Sequence, residues 1–287
     1  MKIYTDNQRE KKHLRANVRR KIIVTIVLSV LLIILLIPLW WAVVLSFDRT
    51  ATTSLPPFSW LPHELSLFNY IAARGLKLWR YYRNTIILTL INTFISITFA
   101  MMCGFAFAKG DFVGKKVLYV FMLAVMISPF ESRLVPLYLQ YKSWRLLDSW
   151  WPLILGNFGY VYGIFFARQN IASIPESLLE SMRLDGAGEW KIFVRLIVPL
   201  SKPVISTLAI LQVIGQWNSY LWPLVVLRDQ SKQVISVGVS MFNASQNSIY
   251  YGPRMAVAVI SALPLFVMFL LLQKYIVESV AMSGIKQ

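Results

Sequence analysis

The sequence predicts an all-α polytopic membrane protein, with six transmembrane helices and one helix–turn–helix elbow held outside the bilayer. Three observations lead there. Of 287 residues, 57% are hydrophobic and only 15% are charged, with a mean hydropathy of +0.58, whereas soluble domains carry about 25% charge. Six apolar stretches, roughly 22–47, 86–108, 117–139, 150–167, 204–227 and 256–277, reach the length of about 18 residues that reads as a membrane span. Between the fourth and fifth, one long segment concentrates Glu180, Arg183, Asp185, Glu189, Lys191, Arg195 and Lys202.

The first span follows a basic arm, residues 1–21. It is too long and too late for a signal peptide, and no small-residue cleavage site follows it, so it reads as a retained span. Residues 22–287 then form one transmembrane domain. The net charge of +16 is not the footprint of nucleic-acid binding, because of how it is distributed. Eighteen Lys and Arg fall in the arm, in 109–116, in 168–202 and after 272, against eleven in the alternate loops and at Arg133. The positive-inside rule therefore puts both termini in the cytoplasm, with the arm near anionic headgroups.

Within the spans, Cys103 is alone, which excludes a disulfide framework, and His13 and His63 lie on opposite sides of the expected membrane. The six cores offer no obvious Asp, Glu, Lys or Arg. A proton-coupled carrier needs such a group at depth, and a voltage sensor needs an arginine ladder. Energy is therefore expected from elsewhere. In the second span Asn92, Ser96, Ala100, Gly104 and Ala108 recur every fourth residue, and in the fourth Gly159, Gly163 and Ala167 do the same. Such stripes suit close helix packing or a sliding interface. The fifth span, LAILQVIGQWNSYLWPLVVL, places Gln212, Gln216, Ser219 and Tyr220 near one face with Trp217 and Asn218 beside them. Amides that bond hydroxyls and rings that stack on C–H faces suit a polar, uncharged, ring-shaped ligand in a pathway. Interhelical hydrogen bonds, with Trp222 in an interfacial belt, are the other reading.

The outer loop 48–83 holds Pro56, Pro57 and Pro62, which exclude a long helix. LSLFNYIAA fits a short amphipathic one, and Phe58, Trp60, Phe68 and Tyr70 suit membrane anchoring or a partner. The loop 228–254 reads as polar, with a short β-like run and a glycine turn.

In the polar segment, Ser173 and Glu176 have capping-box spacing, and Pro175 is tolerated in a first turn. A helix is expected over about 175–184, broken at Asp185-Gly186, with Asp185 capping a second helix. There Trp190, Phe193 and Ile197 share one face, and Lys191 and Arg195 another. Pro199 ends that helix and Pro203 opens the fifth span. An amphipathic helix on the membrane surface accounts for the rings but not for the Asp-Gly break.

Glu180, Asp185, Gly186, Ala187, Phe193, Pro199 and Pro203 resemble the EAA loop, here about 173–203, of the inner-membrane permeases of binding-protein-dependent ABC importers. The usual alanine pair after the glutamate is replaced by Ser181-Met182. With FNY (68–70), PLYLQYKSWRLLDSWWPLIL (136–155), QWNSYLWPL (216–224) and the ending SGIKQ, nearly the whole chain is similar to the six-helix member of a maltose-type carbohydrate permease pair.

The resemblance implies a multi-pass protein of a prokaryotic cytoplasmic membrane, working with a second permease, two ATP-binding subunits and an extracytoplasmic solute-binding protein. Glu180, Ser181, Met182, Asp185, Gly186, Ala187 and Phe193 would couple it to the ATPase. Gln212, Gln216, Trp217, Asn218 and Tyr220 are the pathway candidates for a carbohydrate. There is no GxxxxGK[ST] motif, carboxylate pair, metal cluster or nucleophile triad in the sequence. ATP and Mg are thus expected on the partner ATPase, with no cofactor or catalytic residue here. An ion-coupled carrier and a non-transporting assembly factor are the alternatives.

Overall fold

The computed structural model describes residues 2–51, 58–73, 78–245 and 251–284, and side chains within 18–51, 58–73, 78–243 and 251–270. Pro56, Pro57 and the end of SGIKQ lie outside them. The all-α expectation holds: among the described residues there is no strand, only an isolated antiparallel bridge between Asp48 and Leu65. The chain divides into two compact units, residues 1–75 with 246–260 and residues 76–245 with 261–287.

In the first unit, α1 (Lys2–Phe47) runs through Pro38 to an end that must satisfy its last carbonyls. Asn69, in the short helix α2 (Phe68–Ala73), does this from a distance. Its Nδ2 donates to the carbonyls of Leu45, Ser46 and Asp48 at 3.3, 3.2 and 2.9 Å. Tyr70 bonds Ser46 Oγ at 2.8 Å and its ring lies 4.9 Å from that of Phe47. The FNY signature therefore folds the chain after α1 back onto that helix. Phe58 and Trp60 stay exposed and stack edge-on, with Phe58 also against Trp41.

Asp48 ties this loop. Its carboxylate accepts from Thr50 N–H at 2.9 Å, Thr50 Oγ1 at 2.7 Å, His63 N–H at 2.9 Å and His63 Nδ1 at 2.9 Å. Burial opposes its charge, yet the hydrogen bonds from His63 and Thr50 outweigh that and hold the carboxyl well below the usual carboxylate range.

The second unit is built on α3 (Leu78–Lys109). Next come α4 (Lys115–Ile127) and α5 (Phe130–Ser143), bent by 105°. Pro129 supplies no N–H and forces Ser128 to extended geometry (φ −72°, ψ 121°), so the expected third span is broken here. The fourth is also interrupted. It consists of α6 (Trp151–Leu155), a 3₁₀ turn over Gly156–Gly159, and α7 (Val161–Ala172). The elbow follows as α8 (Glu176–Leu184) and α9 (Glu189–Ile192), the latter continuing through a π-turn (Phe193–Ile197) into α10 (Val198–Leu200). The bulge sits just before Pro199, whose ring an unbroken α-helix would not accommodate. The helix thus passes Pro199 and breaks at Ser201 instead.

A 77° bend there leads into α11 (Lys202–Trp217), then α12 (Leu221–Val226), α13 (Ile235–Ser245) and α14 (Tyr251–Gly284). The β-like run expected within 228–254 falls in the helix α13 instead. Thr85 Oγ1 accepts from the Ile235 N–H at 2.8 Å and caps α13, while Ile235, Val237 and Phe242 are buried. A tertiary cap and core contacts override strand propensity here. By length and composition Val18–Phe47, Leu78–Lys109 and Tyr251–Leu270 can each cross a membrane whole, and the two bent pairs can do so as broken spans.

The small-residue stripes serve packing between α3 and α7. A Cβ on Gly104 would lie 2.6 Å from Ala167 Cβ, and one on Gly163 would meet Ala100 Cβ at 3.0 Å. Gly159 is outside this seam, with nothing within 4 Å of an added Cβ.

Two outcomes follow from this packing and from the Asp48 tie. Gly104→Val should destabilise the detergent-solubilised protein by about 1–3 kcal/mol, the usual range for overpacking, while Gly159→Ala leaves the thermal midpoint unchanged. Because the folded-state pKa of Asp48 is depressed, its stabilisation is complete at neutral pH and fades as acid reaches the folded-state carboxylate. Hydrogen exchange at 48–66, corrected for intrinsic rates, should show protection that holds to roughly pH 4 and weakens below. Asp48→Asn should lose that protection already at pH 7.

Candidate functional site

Two places concentrate polar chemistry: a pair of cavities beside α11, and the elbow. The cavities measure about 540 and 370 Å³ and share Asn157, Gln216 and Arg133 in their walls. Asn157 sits in the 3₁₀ turn, which swings its amide off the helical path. Its Oδ1 accepts from Gln212 Nε2 and Gln216 Nε2, both at 2.8 Å. Gln212 also donates to Ser96 Oγ at 2.8 Å, and Asn92 Nδ2 donates to Gln216 Oε1 at 2.8 Å. Thus the polar stripe of α3, the break in the fourth segment and the amides of α11 form one network. In a low-dielectric setting such a network holds its members firmly as long as each is paired.

Of the five pathway candidates, Gln212, Gln216 and Tyr220 line the cavities. Tyr220 also bonds Ser240 Oγ at 3.0 Å. Trp217 and Asn218 face elsewhere. Trp217 is buried with its Nε1 donating to the Ser261 carbonyl at 3.3 Å, and Asn218 turns its amide back to Ile214 O at 3.0 Å, finishing α11. A four-residue period cannot place all five on one wall once the helix ends at Trp217. Trp222 bonds Pro152 O at 3.0 Å and lines the larger cavity.

Asn157 goes unremarked in the sequence, and Arg133 counts there only as one charge near a span end. The signal for Asn157 was an amide between two glycines in LILGNFG. That for Arg133 was a charge just after a proline, inside the third apolar stretch. The expectation that the cores hold no ionisable group is therefore corrected: the bend at Pro129 brings Arg133 to the cavity wall.

The elbow is braced from inside. Leu179, Ala187, Ile192, Phe193 and Ile197 are buried with Met101, Ala167, Ile171 and Ile174, and Phe105 lies 5.8 Å from Phe193. A chain of ion pairs supports it. Lys109, at the end of α3, donates to Ile174 O at 2.7 Å and to Glu176 at 3.0 Å. Arg183 joins Glu176 at 3.3 Å and Glu189 at 3.0 Å. Lys109 first, then Arg183, holds the Glu176 carboxyl below its ordinary range.

Ser173 bonds back to Asn170 O and Pro175 stands at the helix start, so the expected capping box does not form. Asp185 ends α8 and leaves the second helix to start at Gly188. Gly186 takes φ +75°, which a side chain would strain. Glu180, Ser181 and Asp185 are exposed, Met182 is half-buried, and Ala187 is turned into the chain's own core. Leu184 and Trp190 are 88% and 66% exposed, and Trp190 shares the face of Phe193, its ring 5.6 Å away, while staying open to the outside.

Residues 96–282 match the family model described as binding-protein-dependent transport system inner membrane component. The chain belongs to this family. Among similar binding-protein-dependent permeases is the arabinooligosaccharides transport system permease protein AraQ of Bacillus subtilis, 32% identical over 227 residues, 78% of this chain and 80% of that protein. The diacetylchitobiose uptake system permease protein NgcG of Streptomyces coelicolor is 29% identical, covering 85% and 82%. The trehalose/maltose transport system permease protein MalG of Thermococcus litoralis is 27% identical, covering 95% and 99%. A chain from the crystal structure of a bacterial ABC transporter involved in import of the acidic polysaccharide alginate superimposes with a TM-score of 0.77 at 24% identity. It covers 88% of this chain and 95% of that one, and shares its fold.

If Asn157 is the shared acceptor, Asn157→Ala leaves two amide donors short of a partner. That should cost about 1–3 kcal/mol and lower the thermal midpoint of the solubilised protein, whereas Asn218→Ala changes it little.

Proposed function

We propose that this permease carries sugars as one of two permease subunits in an ATP-driven importer, coupled to a separate ATPase through the elbow. The observation that carries the reading is the elbow's form: a Gly186 turn displaying Glu180, Leu184, Asp185 and Trp190 on an arm whose opposite face is locked into the core. Exposed apolar and acidic groups on a rigid support suit a groove on another protein. A bare interfacial helix does not call for the ion-pair brace behind it. Glu180 and Asp185 are the polar anchors in this reading, Ser181 and Met182 flank them, and Phe193 transmits load to α3.

The sugar assignment is supported by three permease relatives named for arabinooligosaccharide, diacetylchitobiose and trehalose/maltose transport. A second permease, a pair of ATPases holding ATP and Mg, and an extracytoplasmic binding protein complete the system. A relative in the alginate series was crystallised with an alginate pentasaccharide-bound periplasmic protein. Both termini lie in the cytoplasm by the charge distribution.

Gly186→Val tests the coupling. The variant places a β-branched residue at a left-handed position, where even an ordinary side chain costs about 1–2 kcal/mol. ATP-dependent sugar uptake in membrane vesicles should fall at least tenfold while the chain still inserts, and co-purification of the ATPase should weaken. Normal uptake in that variant would remove the elbow's role.

A further inference from the structure

We propose that the solute passing the α11 cavities carries an oxyanion, a uronate carboxylate or a sugar phosphate, and that Arg133 receives it. This rests on the importer reading above, which by itself does not depend on the charge of the solute.

Arg133 stands in the first turn of α5, just beyond the Pro129 break, and lines both cavities. Its Nε is buried and has no hydrogen-bond partner. Among the described residues no carboxylate pairs with it, and neither cavity wall contains Asp or Glu. Arg133 is half-buried with its Nε shut off from water, and a guanidinium so placed without a carboxylate beside it favours an anion. The planar fork of Arg fits carboxylate and phosphate with two parallel bonds, a match Lys does not reproduce.

The rest of the larger cavity supplies what a sugar needs around that charge. Asn92 Oδ1 and Thr89 Oγ1 are buried without partners, and both residues line it, offering acceptors to hydroxyl donors. Tyr220 and Trp222 contribute rings to the same wall. Its volume of about 540 Å³ falls within the usual span for small-molecule sites. A neutral saccharide satisfies the acceptors and rings but leaves Arg133 unanswered.

The test uses the assembled importer, both permeases with the ATPase pair, purified in detergent without its binding protein. Digalacturonate, galactose 6-phosphate and neutral galactobiose are titrated calorimetrically into the wild type, Arg133→Gln and Arg133→Lys. One anion should bind the wild type at least tenfold more tightly than galactobiose does. Arg133→Gln should weaken that anion by roughly 10- to 100-fold, the range for a charge-assisted bond, with partial recovery in Arg133→Lys and no change for galactobiose. Which anion responds identifies the carboxylate or the phosphate.

Equal wild-type affinity for galactobiose, or an anion indifferent to Arg133→Gln, overturns the proposal. So does loss of the second permease from the Arg133→Gln complex on size exclusion, which would make the counter-charge an acid of that subunit. In vesicles with the binding protein present, ATP-driven uptake of galactobiose and of neither anion ends the charge assignment and leaves the importer reading standing. Uptake that continues without ATP ends the importer reading instead.

Discussion

The close approach of α3 and α7 is the contact on which the rest of the second unit depends. Ala100 against Gly163 and Gly104 against Ala167 bring two helix backbones together where lipid offers no hydrophobic drive for association. Everything placed at either end of α7 is placed relative to α3 by that seam. Before it, the 3₁₀ turn presents Asn157 to Ser96 and to the amides of α11. After it, Ile171 and Ile174 receive the elbow, and Lys109 at the foot of α3 locks Glu176. A single helix crossing therefore fixes both the cavity wall and the elbow.

Several helix ends and loops answer the demand that a low-dielectric interior makes on donors and acceptors. Where a helix ends, a side chain from far along the sequence completes it: Asn69 for α1, and Thr85 for α13. Asn84 reaches the carbonyls of Ser231 and Gln233 at 2.8 and 2.9 Å. Asp148, itself at φ 57°, accepts the N–H groups of Arg228 and Asp229 at 3.0 and 2.9 Å and so ties the turn after α5 to the segment after α12. Its carboxyl is held low first by the Asp229 N–H, with Arg228 and Lys232 adding to it. Among the buried polar atoms left unpaired, those of Thr89, Asn92 and Arg133 gather around one cavity.

Much of this was legible in the sequence, because the governing signals were local. Apolar length marked the long helices, four-residue spacing of small residues marked the α3 stripe, and Asp-Gly marked the elbow turn. What escaped was set by contacts across the chain. Nothing near Ile235 announces that Thr85 will cap it, so VISVGVSMF reads as a strand by propensity and folds as a helix. Ser173 and Glu176 have the spacing of a capping box, yet Lys109 and Arg183 claim the glutamate. Proline was read as a stop at 199, where a π-turn absorbs it, and not as a break at 129, where it turns the chain by 105°. At the cavity, Trp217 and Asn218 are candidates only by lying beside the polar face of α11, and where that helix ends both side chains turn to other partners. Asn157, lying across a helix break, has no period at all.

The connection between the two sites runs through α11. The second arm of the elbow passes without a loop into this helix, turning by 77° at Ser201, which is fully buried with its hydroxyl unpaired. From that corner to Gln216 is about 22 Å along a continuous helix at 1.5 Å per residue. A displacement imposed on α8 and α9 cannot be absorbed at a flexible linker, because the only break between elbow and amides is a packed corner. Interiors this dense shift between discrete arrangements and do not stretch. Moving the elbow therefore means moving Gln212 and Gln216 against Asn157, whose position is fixed by the α3–α7 seam. The amide bonds that join the three are the ones such a motion must exchange.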